Sequence, residues 1–426
     1  MKRHNDFAKR ENYKDQLNAI GFNYHDLPSG PEQADYYQEG VVYALSEKEV
    51  DIIQEGSQEL HNMTIEMCSE MIRRGDYPEY FALDQLSIPL IEQSWKRNDP
   101  SLYGRFDLVL GRDNSLKMLE YNGDTPVSIL ECSVAQWNYI EQLKTLPERF
   151  KHINGTTDLP KELNIQYNLI DETLIETWQK NFSKDELIHF AASGGFRHED
   201  WGNLIYILDT ALRAGMNVKE IQMQDIGLKT EKLSNFTHKS FVDLQNKEMR
   251  NVFKLYPWEW MTEEQFGKDI IDTNTRWLEP AWKMLLSNKA MLIKLWEMFP
   301  NHPLLLESHA VAPSNGDWCK KAIHGREGSN IHKFITKDGN VLEDNLAQGS
   351  HKVPEYDHWG YMYQAWHDLP VYDGYRPIIG SWIIGDKACG MSIREDRNLV
   401  TGHDAFFASH LFVPYELEEK YEELWK

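Results

Sequence analysis

The chain has no apolar run near the roughly 18 residues that cross a bilayer, and its opening, MKRHNDFAKRENYKDQ, lacks the apolar core of a secretory signal. Cysteine is scarce: Cys68, Cys132, Cys319 and Cys389 are scattered, with no CxxC pair. That excludes a disulfide framework and a cysteine zinc site, and it points to a reducing cytoplasm. The 16 histidines form no HExxH spacing. Positive charge is also short. A net charge of −22 argues against nucleic acid as the partner, because phosphate backbones need a basic surface. Such an acidic field keeps a protein in solution and can attract cationic substrates. There is no internal repeat and no low-complexity linker.

What is present begins with 41% hydrophobic residues in 426, enough for two or three packed units. The stretch YGRFDLVLGRDNSLKMLEYNGDTP, 103–126, reads as a β-hairpin. Phe106, Leu108 and Leu110 alternate with Arg105, Asp107 and Val109, Gly111 to Asn114 supply the turn, and 116–121 returns. A turn centred at Arg112-Asp113 sets Glu120 opposite Arg105, so that Arg105, Asp107, Glu120 and Asn122 share a face. Two carboxylates and an amide oxygen suit a hard divalent cation, and a neighbouring arginine suits a phosphoryl group. The plain alternative is a solvated face with a cross-strand ion pair.

Along the rest of the chain, residues 1–45 are mixed and polar and are expected to wrap onto the body. Ser46 and Glu49 form a capping box for a helix that Gly75 stops, with Val50, Ile53, Leu60, Met63, Met67 and Met71 as its core stripe. Thr125-Pro126 reads as N-cap and first turn of a helix to about Gln142, leaving N–H groups free for an anion at the strand–helix junction. Residues 145–185 read as a connector with helical pieces. Strand 186–192, the Ser193-Gly194-Gly195 loop, helix 201–214 and strand 218–222 make a right-handed βαβ unit, with His198, Glu199 and Asp200 at the rim where ligands bind such sheets. Residues 247–298 read as mostly helical, their tryptophans (Trp258, Trp260, Trp277, Trp282, Trp296) as packing filler, with Lys289 in an apolar helical run. After Pro303 come short strands: 304–306, 320–323, a hairpin over Asp338-Gly339, 361–366, and a hairpin over Gly385-Asp386. The tail from Pro414 is acidic and helical.

HGREGSN, 324–330, is a glycine-punctuated loop behind a strand bearing Lys320 and Lys321. Lysine on a strand and a mobile glycine loop fit a triphosphate, though an ordinary turn has the same composition. Arg394 ends a strand. An acid cluster, a lysine strand with a loop and a distant arginine describe a nucleotide clamp only if the fold gathers them.

Taken in order, R-x-D, LEYNGDTP, K-K-x-x-x-G-R-E-G-S-N-I, G-S-W-x-I-G-D and S-I-R-E-D-x-x-L-V-T-G resemble the glutathionylspermidine synthase family of ATP-grasp ligases over about residues 10–415, above all its stand-alone acid–amine ligase members. The resemblance implies a mixed α+β and α/β chain: a permuted ATP-grasp fold with a βαβ, pre-ATP-grasp-like substrate domain and helical packing elements. It implies an N-terminal helical region and metal-binding hairpin (1–185), a substrate part (186–245) and a nucleotide-binding part (246–426). It also implies ATP and Mg²⁺. By motif, Asp107, Glu120 and Asn122 match metal ligands, and Arg105 and Arg394 match catalytic arginines that also bind ATP. Lys289, Lys321, Gly325, Gly328, Ser329 and Gln364, the last in an adenine hinge at 361–366, match the ATP site. Thr125, Glu199 and Asp200 match substrate positions.

Thr125 and Val127 stand where the family has serines, and Ala322 where it has proline, which leaves the acid open. No amidase segment is present, so no hydrolysis of the product is expected. The implied reaction joins a small carboxylate to a peptide- or polyamine-like amine through an acyl phosphate. A peptide or amino-acid ligase of the same fold and a degenerate nucleotide-binding protein are the alternatives.

Overall fold

Ser46 closes one strand and caps the helix after it. Its hydroxyl accepts from the Glu49 N–H at 3.2 Å and Glu49 Oε2 accepts from the Ser46 N–H at 2.9 Å, the reciprocal arrangement that satisfies two orphan donors. The helix runs Glu47–Arg74 and ends at Gly75, whose φ of 62° is left-handed. The expected stripe is buried on it, Val50 through Met71. The computed structural model describes residues 1–426 apart from 8, 27–34, 146–164, 195–198, 233, 235 and 236; Gly195, His198 and the 146–164 part of the 145–185 connector fall outside the described residues.

The chain is mixed α/β with several sheets. The helix packs on a seven-stranded sheet ordered Lys2–His4, Tyr37–Ser46, Phe406–Val413, Lys387–Asp396, Arg376–Ile384, Tyr103–Leu110, Leu116–Asn122. Only Phe406–Val413 beside Tyr37–Ser46 is parallel. Residues 1–45 therefore do more than wrap: two strands of the sheet come from them or start in them. A four-stranded parallel sheet is ordered Arg276–Leu278, Asn251–Leu255, Leu187–Ala192, Asn217–Gln222. The helix Glu199–Arg213 makes the crossover between its last two strands, as the βαβ reading requires. A five-stranded antiparallel sheet is ordered Ser308–His309, Tyr361–Ala365, Gly316–Ala322, Ile331–Lys337, Asn340–Leu346.

Four expectations are corrected. Residues 247–298 are not mostly helical. Asn251–Leu255 is a fully buried strand, disguised by Asn251 and Lys254 in a short run. Lys254 is accommodated because Asp124 Oδ1 accepts from its ammonium at 2.6 Å, both side chains fully buried. Lys289 lies in the turn before the helix Met291–Met298, not within it. Residues 304–306 form no strand; there the Leu304 carbonyl accepts from the Met118 N–H at 2.8 Å. Thr125-Pro126 starts no helix. Helical structure begins at Ile129 and passes through a π-turn, Glu131–Ala135, into Gln136–Thr145.

Candidate active site

The hairpin Tyr103–Leu110 and Leu116–Asn122 forms, but in another register. Asp107 faces Glu120 and Arg105 faces Asn122, two positions from the expected pairing. One step comes from the wider turn, where the Gly111 N–H reaches the Ser115 carbonyl at 2.7 Å. The other comes from a β-bulge between Asp107 and Leu108 that leaves Leu119 as an extra residue. A bulge re-aims side chains. Because alternation has period two, a regular ladder that paired Leu119 with Asp107 would turn Glu120 and Asn122 toward the layer of Phe106 and Leu108. The shared face of Arg105, Asp107, Glu120 and Asn122 therefore exists through the bulge.

That face lines a cleft of about 400 Å³. The same cleft is lined by Lys289, Lys321, the loop residues Gly325, Gly328 and Ser329, and Gln364 and Arg394, with Thr125, Val127, Glu199 and Asp200 at one end. Every described residue singled out in the sequence as a site candidate thus borders one cavity.

Its electrostatics are paired. Arg105 holds Asp107 with both arms, at 2.7 and 3.2 Å, and donates to the Val127 carbonyl at 2.7 Å. Lys289 lies 3.1 Å from Glu120 and also reaches the Gly325 carbonyl of the loop. Lys321 donates to the carbonyl of the bulged Leu119 at 3.0 Å. Burial alone would raise the Glu120 carboxyl, but Lys289, Lys321 and Arg105 outweigh it and hold it at about 2. Arg394 gives one donor to the Gly402 carbonyl at 2.9 Å, while its Nε is buried without a partner. Gln364 is buried and donates weakly to the Met118 carbonyl at 3.4 Å.

Asp107, Glu120 and Asn122 fit an oxygen-preferring cation. Asn122 Nδ2 is buried and unpartnered, and a half-turn of that amide presents its oxygen instead. Among the described residues no three Asp, Glu, His or Cys side chains gather as a metal-binding group. The set here is two carboxylates and an amide, which suits an ion that keeps water and phosphate in its shell.

The 324–330 loop reaches over the cleft. Arg326 donates to Thr125 Oγ1 at 3.0 Å, pairs with Glu259 and lies over the Trp260 ring at 5.7 Å. Ser329 Oγ accepts from the Arg326 N–H at 3.1 Å. Gly328 has φ of 70°, and a Cβ there would stand 2.8 Å from the Thr401 carbonyl, so this turn needs glycine. Glu259 would be raised by burial, yet Arg326 and His324 hold it at about 2. Burial pushes His324 down to about 4, so it is neutral at pH 7. Trp260, expected as filler, is 38% exposed and lines the cleft.

The far end is acidic. Burial raises Glu199 to about 7, with Asp200 and Glu327 adding to the effect and Arg394 opposing it. Behind it Glu131, on the π-turn, is fully buried and accepts from Tyr24 and Tyr36 hydroxyls, each at 3.3 Å. Burial and the Glu199 charge push it up to about 8. Glu131 was missed in the sequence, where its one signal is an isolated acid in Ile129-Leu130-Glu131-Cys132. The helix start expected at Thr125-Pro126 to offer free N–H groups to an anion lies later in the chain, and there Ile129 and Leu130 donate to Asn203 Oδ1 at 2.9 and 3.4 Å.

No described helix is long and apolar enough to cross a membrane. The family model for the glutathionylspermidine synthase preATP-grasp region matches residues 4–413. A Haemophilus influenzae protein named "putative acid–amine ligase" is 41% identical over 421 residues, covering 97% of this chain and all of that one. A trypanothione synthetase of Crithidia fasciculata is 25% identical over 378 residues; the match covers 82% of this chain and 53% of the relative, so the chain spans about half of that longer protein. The apo structure of a glutathione synthetase-like effector from Globodera pallida aligns with a TM-score of 0.51 at 11% identity, over 94% of this chain and 95% of the other. That is a likeness of fold alone.

Proposed function

This chain belongs to the glutathionylspermidine synthase preATP-grasp family, and from that premise we propose that it is an ATP-dependent acid–amine ligase built on a permuted ATP-grasp fold. Residues 1–185 and 246–426 supply the two parts that hold ATP. Residues 186–245, continued by the strands Asn251–Leu255 and Arg276–Leu278 of the same sheet, supply the substrate part. The observation that carries the reading is the convergence on one cleft of the early hairpin's acids and the late strands' Lys321 and Arg394.

The carboxylate oxygen of the acid attacks the γ-phosphoryl of ATP, and the bond to ADP breaks. The amine then attacks the acyl carbon of the resulting acyl phosphate, phosphate leaves, and an amide forms. Phosphoryl transfer asks a protein mainly for positioning and charge neutralisation. Asp107, Glu120 and Asn122 would hold Mg²⁺, which when bound neutralises phosphate charge. Arg105 and Arg394, on strands that lie either side of Arg376–Ile384 in one sheet, would both contact the transferred group. Lys289 and Lys321 hold phosphate oxygens, and Gln364 belongs to the strand along which adenine lies. Gly325, Gly328 and Ser329 let the loop close and exclude water, which an acyl phosphate requires. Thr125 borders the acid; Glu199 and Asp200 border the amine, and two acids there favour a cationic, polyamine- or peptide-like amine over a neutral one.

Incubation with ATP, Mg²⁺ and panels of acids and amines tests this: ADP release should need an acid, and mass spectrometry should find the amide. ATP binding without acid-stimulated ADP release from any pair would favour the rival, a nucleotide-binding protein without turnover. One observation supports that rival: Asp107 and Glu120 already have cationic partners.

A further inference from the structure

The helix that begins just past the Thr125–Val127 segment borrows its cap from another helix. Asn203, fully buried in Glu199–Arg213, accepts from the N–H groups of Ile129 and Leu130 through Oδ1 at 2.9 and 3.4 Å. Its Nδ2 donates to the Glu199 carbonyl at 2.9 Å and to the Tyr24 hydroxyl at 3.1 Å. Two bonds accepted and two donated use the whole capacity of an amide. Tyr24 in turn donates to Glu131, and its ring lies so close to the helix backbone that a Cβ on Gly202 would stand 2.4 Å away.

The segment so held is not one that would choose this shape alone. Ser128 has φ of 75°, a left-handed conformation that a serine adopts only where its surroundings hold it there. The π-turn comes directly after it, a local irregularity that surrounding contacts must sustain. Asn203 is the side chain that bonds both this segment and the backbone of Glu199. The first carries Thr125 and the Val127 carbonyl that fixes Arg105. The second begins with Glu199 and Asp200. Both border the same cleft. In the ligase reading, which the role of Asn203 presupposes, one lies at the acid and the other at the amine.

We propose that Asn203 is a positioning residue that sets the separation of the acid and amine subsites, and so decides how much activated acid goes to the amine rather than to water. Attack by nitrogen on the acyl carbon gives amide and phosphate. Attack by water on the same carbon gives back the carboxylate and phosphate, with ATP consumed for nothing. Only the first depends on the amine's placement, and a displacement of about 1 Å can cost on the order of 10²-fold.

The test measures ADP released and amide formed together, with the acid–amine pair that gives the highest wild-type turnover. Asn203→Ala should keep acid-dependent ADP release within about threefold of wild type while the ADP-to-amide ratio rises from near one to about three or more. Asn203→Asp, which keeps the acceptor for Ile129 and Leu130 but cannot donate to Glu199 or Tyr24, should raise the ratio in the same direction, and it decides the matter if the alanine variant does not fold. A purely structural role would lower both yields in parallel. A ratio that stays near one in a folded variant therefore overturns the proposal while the ligase reading stands. No acid-stimulated ADP release from the wild-type protein would overturn both.

Discussion

Replacing Arg394 with alanine separates a functional arginine from a structural one. In the structure its guanidinium makes one bond, to the Gly402 carbonyl at 2.9 Å, and buries Nε without a partner. A hydrogen bond from a charged group contributes about 1.5–3 kcal/mol, and a buried donor left unsatisfied costs about 1–3 kcal/mol. The two nearly cancel, so Arg394→Ala should change folding stability by about 1 kcal/mol or less, a Tm shift of no more than about 4 °C. Turnover has no such compensation. Losing a charge-assisted bond to the transferred phosphoryl group removes about 1.5–3 kcal/mol of transition-state stabilisation, a fall of roughly 10–100-fold in acid-dependent ADP release. Because Arg394, ahead of Arg105, opposes the rise of Glu199 from burial, its loss should also move any rate limb set by Glu199 from near pH 7 to higher pH. Thermal unfolding and an ADP-release pH series on the same preparation read all three. A wild-type rate, or a Tm fall beyond about 10 °C, would refute the reasoning.

Asp107→Asn and Glu120→Gln should each abolish ATP turnover while circular dichroism stays unchanged; near-wild-type ADP release from either would break the metal assignment. Lys254→Met removes one partner of a fully buried ion pair and should cost about 3–5 kcal/mol, seen as a Tm lower by roughly 10 °C; an unchanged Tm would show the pair to be dispensable. Glu131 has its carboxyl raised to about 8 in the folded chain from an ordinary value near 4.5. The folded state therefore binds more protons between those values, and stability falls as pH rises through them. Glu131→Gln should remove that slope, raising Tm relative to wild type more at pH 8 than at pH 5. Equal differences at both would assign the slope elsewhere.

What the sequence made legible was local. The Ser46–Glu49 capping box, the Gly75 stop and the Asp338-Gly339 hairpin turn each depend on residues within one or two turns of each other, the βαβ unit on three elements consecutive in the chain, and each is present. The early hairpin was legible as a hairpin but not in register, because nothing about Leu119 marks it as the extra residue of a bulge. Asn251–Leu255 was hidden because its charge partner, Asp124, is remote in sequence. Thr125-Pro126 has the residue types of a helix start, yet the chain runs on through Ser128, and Asn203 supplies the cap from another element. Trp260 could not be told from its buried neighbours, since composition says nothing of which ring faces a cleft. That Asp107 and Arg394 meet at all is a matter of sheet order, which spacing does not encode; only the ordered set of motifs anticipated it.

The bulged strand carries a consequence for how lineages of this chain can drift. Leu119 offers Lys321 its backbone carbonyl, a contact that many codons could supply at that position. Loss of the codon itself is another matter. A three-nucleotide deletion would leave plain alternation from Met118 to Glu120, so the Glu120 carboxylate would keep its side, but it would erase the carbonyl that holds Lys321, a lesion that no single replacement at that site could imitate.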